Sequence, residues 1–266
     1  MSDGLIHTLT RGDHVFFSEE GIAETGRGLR DRYLSAEPFP HIVLDDFLPA
    51  AFAGKLLDAF PPAHLASVNR TGEYQNLKRG FRPDDLGDAL SRAYVQPFNS
   101  RPFLLFLEGL TGIEGLIPDP FYAGGGYHEI LPGGSLAIHA DFNLHPRLKI
   151  IRRINVLIYL NRDWESSYGG NLELWDADVQ RCVTSIEPIF NRCVVFNTTS
   201  SSFHGHPEPL KCPAGRTRRS LALYYYTARA ETETEPVNAG TDWRKRPQDS
   251  RLDKIKSLLQ RKLNDG

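Results

Sequence analysis

Residues 133–143 read GGSLAIHADFN, and the fold turns on how this stretch is read. From Ser135 the residues alternate. Ser135, Ala137, His139 and Asp141 fall on one face, with Leu136, Ile138 and Ala140 on the other, the period of a β-strand. Gly133-Gly134 predicts a turn just before it. The small residues beside His139 and Asp141 leave room for an ion and a substrate. Outward from here the same texture recurs. The spans 127–131, 135–141, 153–160, 171–176, 183–186, 193–197, 203–210 and 218–228 are rich in β-branched and aromatic residues, with Gly, Pro, Asn and Ser between them. Eight short strands with turn signals predict a sandwich or closed barrel.

The chain before residue 121 has a different period. Residues 41–44 predict a strand, and Pro49 opens a helix with Phe52, Leu56, Leu57 and Phe60 at helical spacing, stopped by Pro61-Pro62. Spans 84–97 and 102–110 predict two more helices. Residues 63–80 are polar and predict loop or irregular strand. Residues 1–35 predict a loose entry with a short helix near 19–33. The expectation is one domain of the α+β class, mainly β with flanking helices. Residues 1–120 form a mostly helical support, 121–229 the β core, and 230–266 a C-terminal extension. In that extension Leu252, Ile255, Leu258, Leu259 and Leu263 form an apolar stripe, read as a helix docking on the domain.

Composition excludes several classes of function. With 266 residues and 40% hydrophobic content, the chain can bury a core without staples. A net charge of −2 provides no field for nucleic acid or anionic lipid. The three cysteines, Cys182, Cys193 and Cys212, are odd in number and spread out, which suits a reducing compartment. The N-terminus lacks the charged and apolar regions of a secretory signal, and no run approaches the ~18 apolar residues of a membrane span. A cytoplasmic protein with no membrane segment is expected.

His139 and Asp141 present an imidazole and a carboxylate from one face of a rigid strand. That is two thirds of the 2-His-1-carboxylate triad that holds non-haem Fe(II) with positions left open. A third ligand is available downstream in Ser202-Phe203-His204-Gly205-His206, where His204 and His206 share a face and alternation does not choose between them. Gly205 permits close backbone approach. In the strand starting at Arg218, Arg218, Ser220, Ala222 and Tyr224 share a face, opposite Arg219, Leu221, Leu223 and Tyr225. A 2-oxo dicarboxylate that chelates iron through its keto acid needs a cation for its distal carboxylate, and Arg is best suited to that. Arg218 with Ser220 supplies a guanidinium and a hydroxyl together. Arg219 shares its face with leucines.

Taken in order and spacing, PFPHIVLDDFLP, His139-x-Asp141, RRINVLIYLN, YGGNLELW, Phe203-His204-Gly205 and Arg218-x-Ser220 resemble the prolyl 4-hydroxylase-like branch of the Fe(II)/2-oxoglutarate-dependent oxygenases, over about residues 38–227. The resemblance implies a double-stranded β-helix, of jelly-roll or cupin-like form. It implies His139, Asp141 and His204 as metal ligands, Arg218 as the 2-oxoglutarate anchor, and Asn155 and Tyr159 as further cosubstrate contacts. The implied cofactors are Fe(II), with 2-oxoglutarate and O2 as cosubstrates. Related halogenases lack the carboxylate, so Asp141 favours hydroxylation.

The expected activity is hydroxylation of an unactivated C–H bond with release of succinate and CO2. A prolyl residue in a protein or peptide is the first substrate class. A free or carrier-bound amino acid or other small metabolite is the second. A jelly-roll binding or sensor domain without turnover is the alternative of another class. Phe142, Asn143, Arg153 and Trp175, near the triad strand or its neighbours in sequence, are the candidates for the substrate pocket.

Overall fold

The computed structural model describes residues 4–12, 14–87, 89–229 and 236–250. In chain order the strands and helices are β1 (Thr8–Arg11), β2 (His14–Phe17), α1 (Ile22–Leu34), β3 (His41–Leu44), α2 (Ala50–Asp58), β4 (Val68–Arg70), β5 (Gln75–Phe81), α3 (Ala89–Val95), α4 (Arg101–Thr111) and β6 (Ile117–Pro118). They continue with β7 (Gly126–Ala140), β8 (Ile151–Tyr159), β9 (Leu172–Trp175), β10 (Cys182–Ile186), β11 (Cys193–Asn197), β12 (His204–His206), β13 (Arg218–Thr227) and β14 (Asp242–Trp243). No helix among the described residues is long and apolar enough to cross a membrane.

The core is one antiparallel sheet system in the order β10-β9-β12-β7-β13-β8-β11-β3, curled into a nearly closed barrel. It is the expected double-stranded β-helix. Strand β7 closes it by serving both halves. Its residues 126–130 pair with β13, and its residues 136–139 pair with β12. This corrects the reading of 127–131 and 135–141 as separate strands joined by a turn. Gly133, at φ 80°, and Gly134 instead sit where the register to β5 jumps from Lys78↔Ile130 to Asn76↔Ser135. The strand bulges and bends there without ending, as sheets do at corners.

Alternation sorts the strands as expected. Ile154, Val156 and Ile158 of β8, Cys193 and Val195 of β11, and Leu221, Leu223 and Tyr225 of β13 join one core with the helices. There they meet Phe103, Phe106, Leu107 and Leu110, the apolar stripe of α4. Tyr159, Leu172, Leu174, Val194 and Phe196 form a second cluster on the barrel's interior side. Helix α4 starts after Ser100 with Pro102 in its first turn and stops at Gly112, at φ 75°.

Four further differences from the sequence reading have physical causes. Residues 8–11 and 14–17 pair as antiparallel strands rather than loose coil, because Val15 and Phe17 reach the main core. Residues 75–81 form a seven-residue strand despite their polarity, because β5 hydrogen-bonds along β7. The 203–210 strand shortens to His204–His206. The C-terminal segment folds back as β14, pairing Trp243 with His139 and Asp242 with Ala140. The predicted stripe from Leu252 to Leu263 lies outside the described residues.

Candidate metal centre

His139 lies near the end of β7, Asp141 just beyond it, and His204 at the start of β12, directly opposite His139 in register. Gly205 makes this approach possible, since a Cβ there would stand 2.8 Å from the carbonyl oxygens of Leu136 and Ala137. The ligand atoms of His139, Asp141 and His204 lie within 4.8 Å of one another. Nδ1 of His139 donates to Ala137 O at 2.8 Å, and Nδ1 of His204 donates to Ser202 O at 2.9 Å. A carbonyl can only accept, so both tautomers leave Nε2 as the lone-pair atom. Each Nε2 stands 3.5 Å from a different oxygen of Asp141. Two imidazoles and a carboxylate converge here, and this donor set fits Fe(II).

The protonation states agree with that role. Burial brings His204 down to about 4, so its imidazole is neutral at physiological pH. Burial opposes charge on Asp141, but Arg152, His139 and His204 outweigh it and hold the carboxyl well below its usual range. Arg152 Nη2 donates to Asp141 Oδ2 at 2.9 Å, and Asn155 Nδ2 donates to the same oxygen at 2.8 Å. Arg152 stacks on Tyr224, its guanidinium carbon 3.3 Å from the ring centroid. Trp243 packs against His139, with ring centroids 4.7 Å apart.

The triad opens into a cavity of about 360 Å³ that also receives Arg218, Ser220, Asn155 and Phe142. Arg218 is buried, its Nε donating to Gly170 O at 2.7 Å and its Nη2 to Tyr159 Oη at 3.2 Å. Gly170, from the YGG segment, has φ 75°, and a Cβ there would meet Leu210 at 2.5 Å and Arg218 at 3.0 Å. Arg219 faces away, near Glu129 at 3.5 Å and over the ring of Phe60. The structure therefore places Arg218, not Arg219, in the cavity. Tyr159 touches Arg218 rather than lining the cavity, and Asn155 spends its amide on Asp141.

Three candidates for the substrate pocket lie elsewhere. Asn143 is buried, bonded to Pro236 and Asn238, and pins the C-terminal segment. Trp175 donates to Glu173 and packs with Ile138, Ala140 and Phe203. Arg153 reaches Thr227 at 2.9 Å. A register shift explains Arg153, since β13 pairs Tyr225 with Ile154 but Tyr226 with Arg152. Strict alternation would aim Arg153 inward with Asn155, and the bulge turns Arg152 inward in its place.

Lys78, His128 and Arg152 also line the cavity, and none was a named site residue on sequence grounds; His206, the alternative to His204 as third ligand, lines it too. His206 carried the one available signal, sharing parity with His204. Among the described residues, neither of its buried ring nitrogens has a hydrogen-bond partner, and nor does Arg152 Nη1. Unpaired polar atoms in such a cavity are suited to a ligand.

Comparison with known proteins agrees with this geometry. Residues 125–226 match the model of the 2OG-Fe(II) oxygenase superfamily. The chain is 26% identical over 217 residues to mouse prolyl 3-hydroxylase OGFOD1, covering 79% of this chain but only 35% of that protein. Its fold is similar to that of a Trichoplax adhaerens prolyl hydroxylase solved with a hypoxia inducible factor peptide, at TM-score 0.52 and 19% identity over 77% of this chain and 90% of that one. It is also similar to a Pseudomonas putida prolyl-4-hydroxylase, at TM-score 0.51 and 20% identity over 79% of this chain and 100% of that one. The convergent His139, Asp141 and His204 and the buried Arg218 all fall within the stretch 125–226 that matches the 2OG-Fe(II) oxygenase superfamily, and the fold around them is similar to that of prolyl hydroxylases.

Proposed function

We propose that this protein hydroxylates an unactivated C–H bond, consuming O2 and 2-oxoglutarate and releasing succinate and CO2. One oxygen atom enters the substrate and one enters succinate. The observation that carries this reading is the convergence of His139, Asp141 and His204 in the same cavity as Arg218. Iron, when bound, supplies the redox chemistry that activates O2 and decarboxylates the cosubstrate.

The chain's own residues supply the rest. The two Nε2 atoms and Asp141 would hold the metal at the wall of the cavity. Arg152 and Asn155 fix Asp141 by one oxygen and keep it charged, a positioning role. Arg218 offers a guanidinium to a distal carboxylate, and Gly170 O and Tyr159 Oη hold that guanidinium in place. Ser220 lies beside Arg218 on the same strand face. His206 offers a buried imidazole with no partner among the described residues. Leu157, Leu172 and Phe196 give the cavity apolar walls that limit water.

For the substrate, the supported class is a prolyl residue in a protein or peptide, since the mouse relative is named a prolyl 3-hydroxylase. The three cysteines are unpaired, which accords with a reducing, cytoplasmic setting. The test is succinate release with prolyl peptides, followed by mass spectrometry for a gain of one oxygen. If succinate forms with no oxygenated product from any peptide, the prolyl assignment is wrong and small amino acids come next.

A further inference from the structure

The β4–β5 hairpin has a charge arrangement that its own fold does not explain. Arg70 and Lys78 are directly opposed in register, and like charges so placed weaken a strand pair. Both line the cavity. Among the described residues neither side chain forms an ion pair or hydrogen bond. Their neighbours differ, since Arg79 is paired with Glu129 at 3.1 Å and Arg82 with Asp85 at 2.6 Å.

The backbone is also shaped to put Lys78 there. The register of β5 breaks between Asn76 and Lys78, where Leu77 has φ 49°. A positive φ is unfavourable for leucine, and a bulge re-aims the side chains that follow it. Gln75 and Lys78, three apart, both line the cavity as a result.

Charge balance points the same way. Asp141 is the single carboxylate among the described lining residues, and Arg152 is already paired with it. Loading the site does not cancel the excess. The two carboxylates of 2-oxoglutarate match the charge of Fe(II), so the net positive charge of the lining is unchanged, and with Arg218 taken by the distal carboxylate Arg70 and Lys78 are left without an anion. Burial brings Lys78 down to about 8, the pull of Asp141 being offset by Arg218, Arg70 and Arg152.

We propose that the substrate carries an anionic group, a carboxylate or a phosphate, which docks between Lys78 and Arg70 on the β4–β5 hairpin. The inference rests on the oxygenase reading above and names a chemical feature of its substrate. Lys78 supplies a compact charge inside the cavity, and Arg70, exposed at the rim, meets the same group from outside.

The test uses the full chain, held without oxygen and loaded with Fe(II) and 2-oxoglutarate. Acetate, for a carboxylate, and sulfate, for a phosphate, are titrated separately by calorimetry, while the metal-to-2-oxoglutarate absorption reports whether the cosubstrate stays bound. At least one anion is expected to bind saturably with that absorption retained, and the stronger of the two identifies the group. Lys78→Gln is expected to weaken it about tenfold or more, Arg70→Gln by a smaller factor, and Lys78→Arg by less than about threefold.

Three results overturn the inference: no saturable anion binding, an affinity unchanged in Lys78→Gln, or a rise in the 2-oxoglutarate requirement of Lys78→Gln as large as that of Arg218→Ala. The last would assign Lys78 to the cosubstrate. If the wild-type protein shows no metal-to-2-oxoglutarate absorption at all, the oxygenase reading itself fails.

Discussion

Arg152 donates to the Oδ2 of Asp141 across 2.9 Å, while Oδ1 of the same carboxylate faces the Nε2 of His139 at 3.5 Å. One carboxylate is thus shared between a structural guanidinium and the metal position. Removing Arg152 strands a buried charge, which costs about 3–5 kcal/mol. Iron is itself a cationic partner for Asp141. Arg152→Met is therefore expected to lower the melting temperature of the metal-free protein more than that of the iron-loaded protein. Equal losses in both forms would show that Arg152 acts only through packing against Tyr224.

The ligand set predicts which histidine variants lose iron. His139→Ala and His204→Ala should each abolish stoichiometric Fe(II) binding, measured by metal analysis, and with it the absorption formed on adding 2-oxoglutarate. His206→Ala should keep its iron. Retention of iron by His204→Ala together with its loss from His206→Ala would reverse the assignment of the distal ligand.

The two arginines at the head of β13 should behave differently. Arg218→Ala removes a buried charge-assisted contact worth about 2–4 kcal/mol, so the 2-oxoglutarate requirement should rise roughly 30- to 1000-fold. Arg219→Ala should leave it nearly unchanged, because Arg219 lies on the opposite face near Glu129. Titration of succinate release against 2-oxoglutarate separates them.

Stability should fall on the acid side of neutrality. Burial brings His204 down to about 4, and burial with nearby Lys78 or Arg218 holds His128 and His206 well below their ordinary 6.5. The unfolded chain takes up these protons near pH 6.5 and the folded chain does not. Stability is then full above about pH 7 and drains away as pH falls from 6.5 toward 4, by on the order of 3 kcal/mol from His204 alone. Denaturant titrations of metal-free protein across that window measure it. A flat profile would mean that these histidines are charged when folded.

Helices α1 and α4 should tolerate no added carbon where they touch. A Cβ on Gly26 would stand 2.3 Å from Phe106 O, and one on Gly109 2.5 Å from Ala23 O. Gly109→Ala should force the helices apart and cost about 1–3 kcal/mol in urea unfolding. A neutral result would show that this contact is loose in solution.

Much of this was legible in the chain itself, because alternation is a local property. The period of two separated Ile154, Val156 and Ile158, which the structure packs with the helices, from Asn155, Leu157 and Tyr159, and it chose Arg218 over Arg219. Residue type and spacing along GGSLAIHADFN marked His139 and Asp141 as a pair. What alternation does not reveal is where it breaks. The bulge at Arg153 brought Arg152 inward, and the one at Leu77 did the same for Lys78. The choice of His204 over His206 depended on which residue lies opposite His139. The two-glycine step in GGSLAIHADFN, which resembles a turn locally, became a bend in one continuous strand because β13 and β12 pair with its two halves. Those pairings join residues far apart in sequence, and their hydrogen bonds are decided only when the barrel closes.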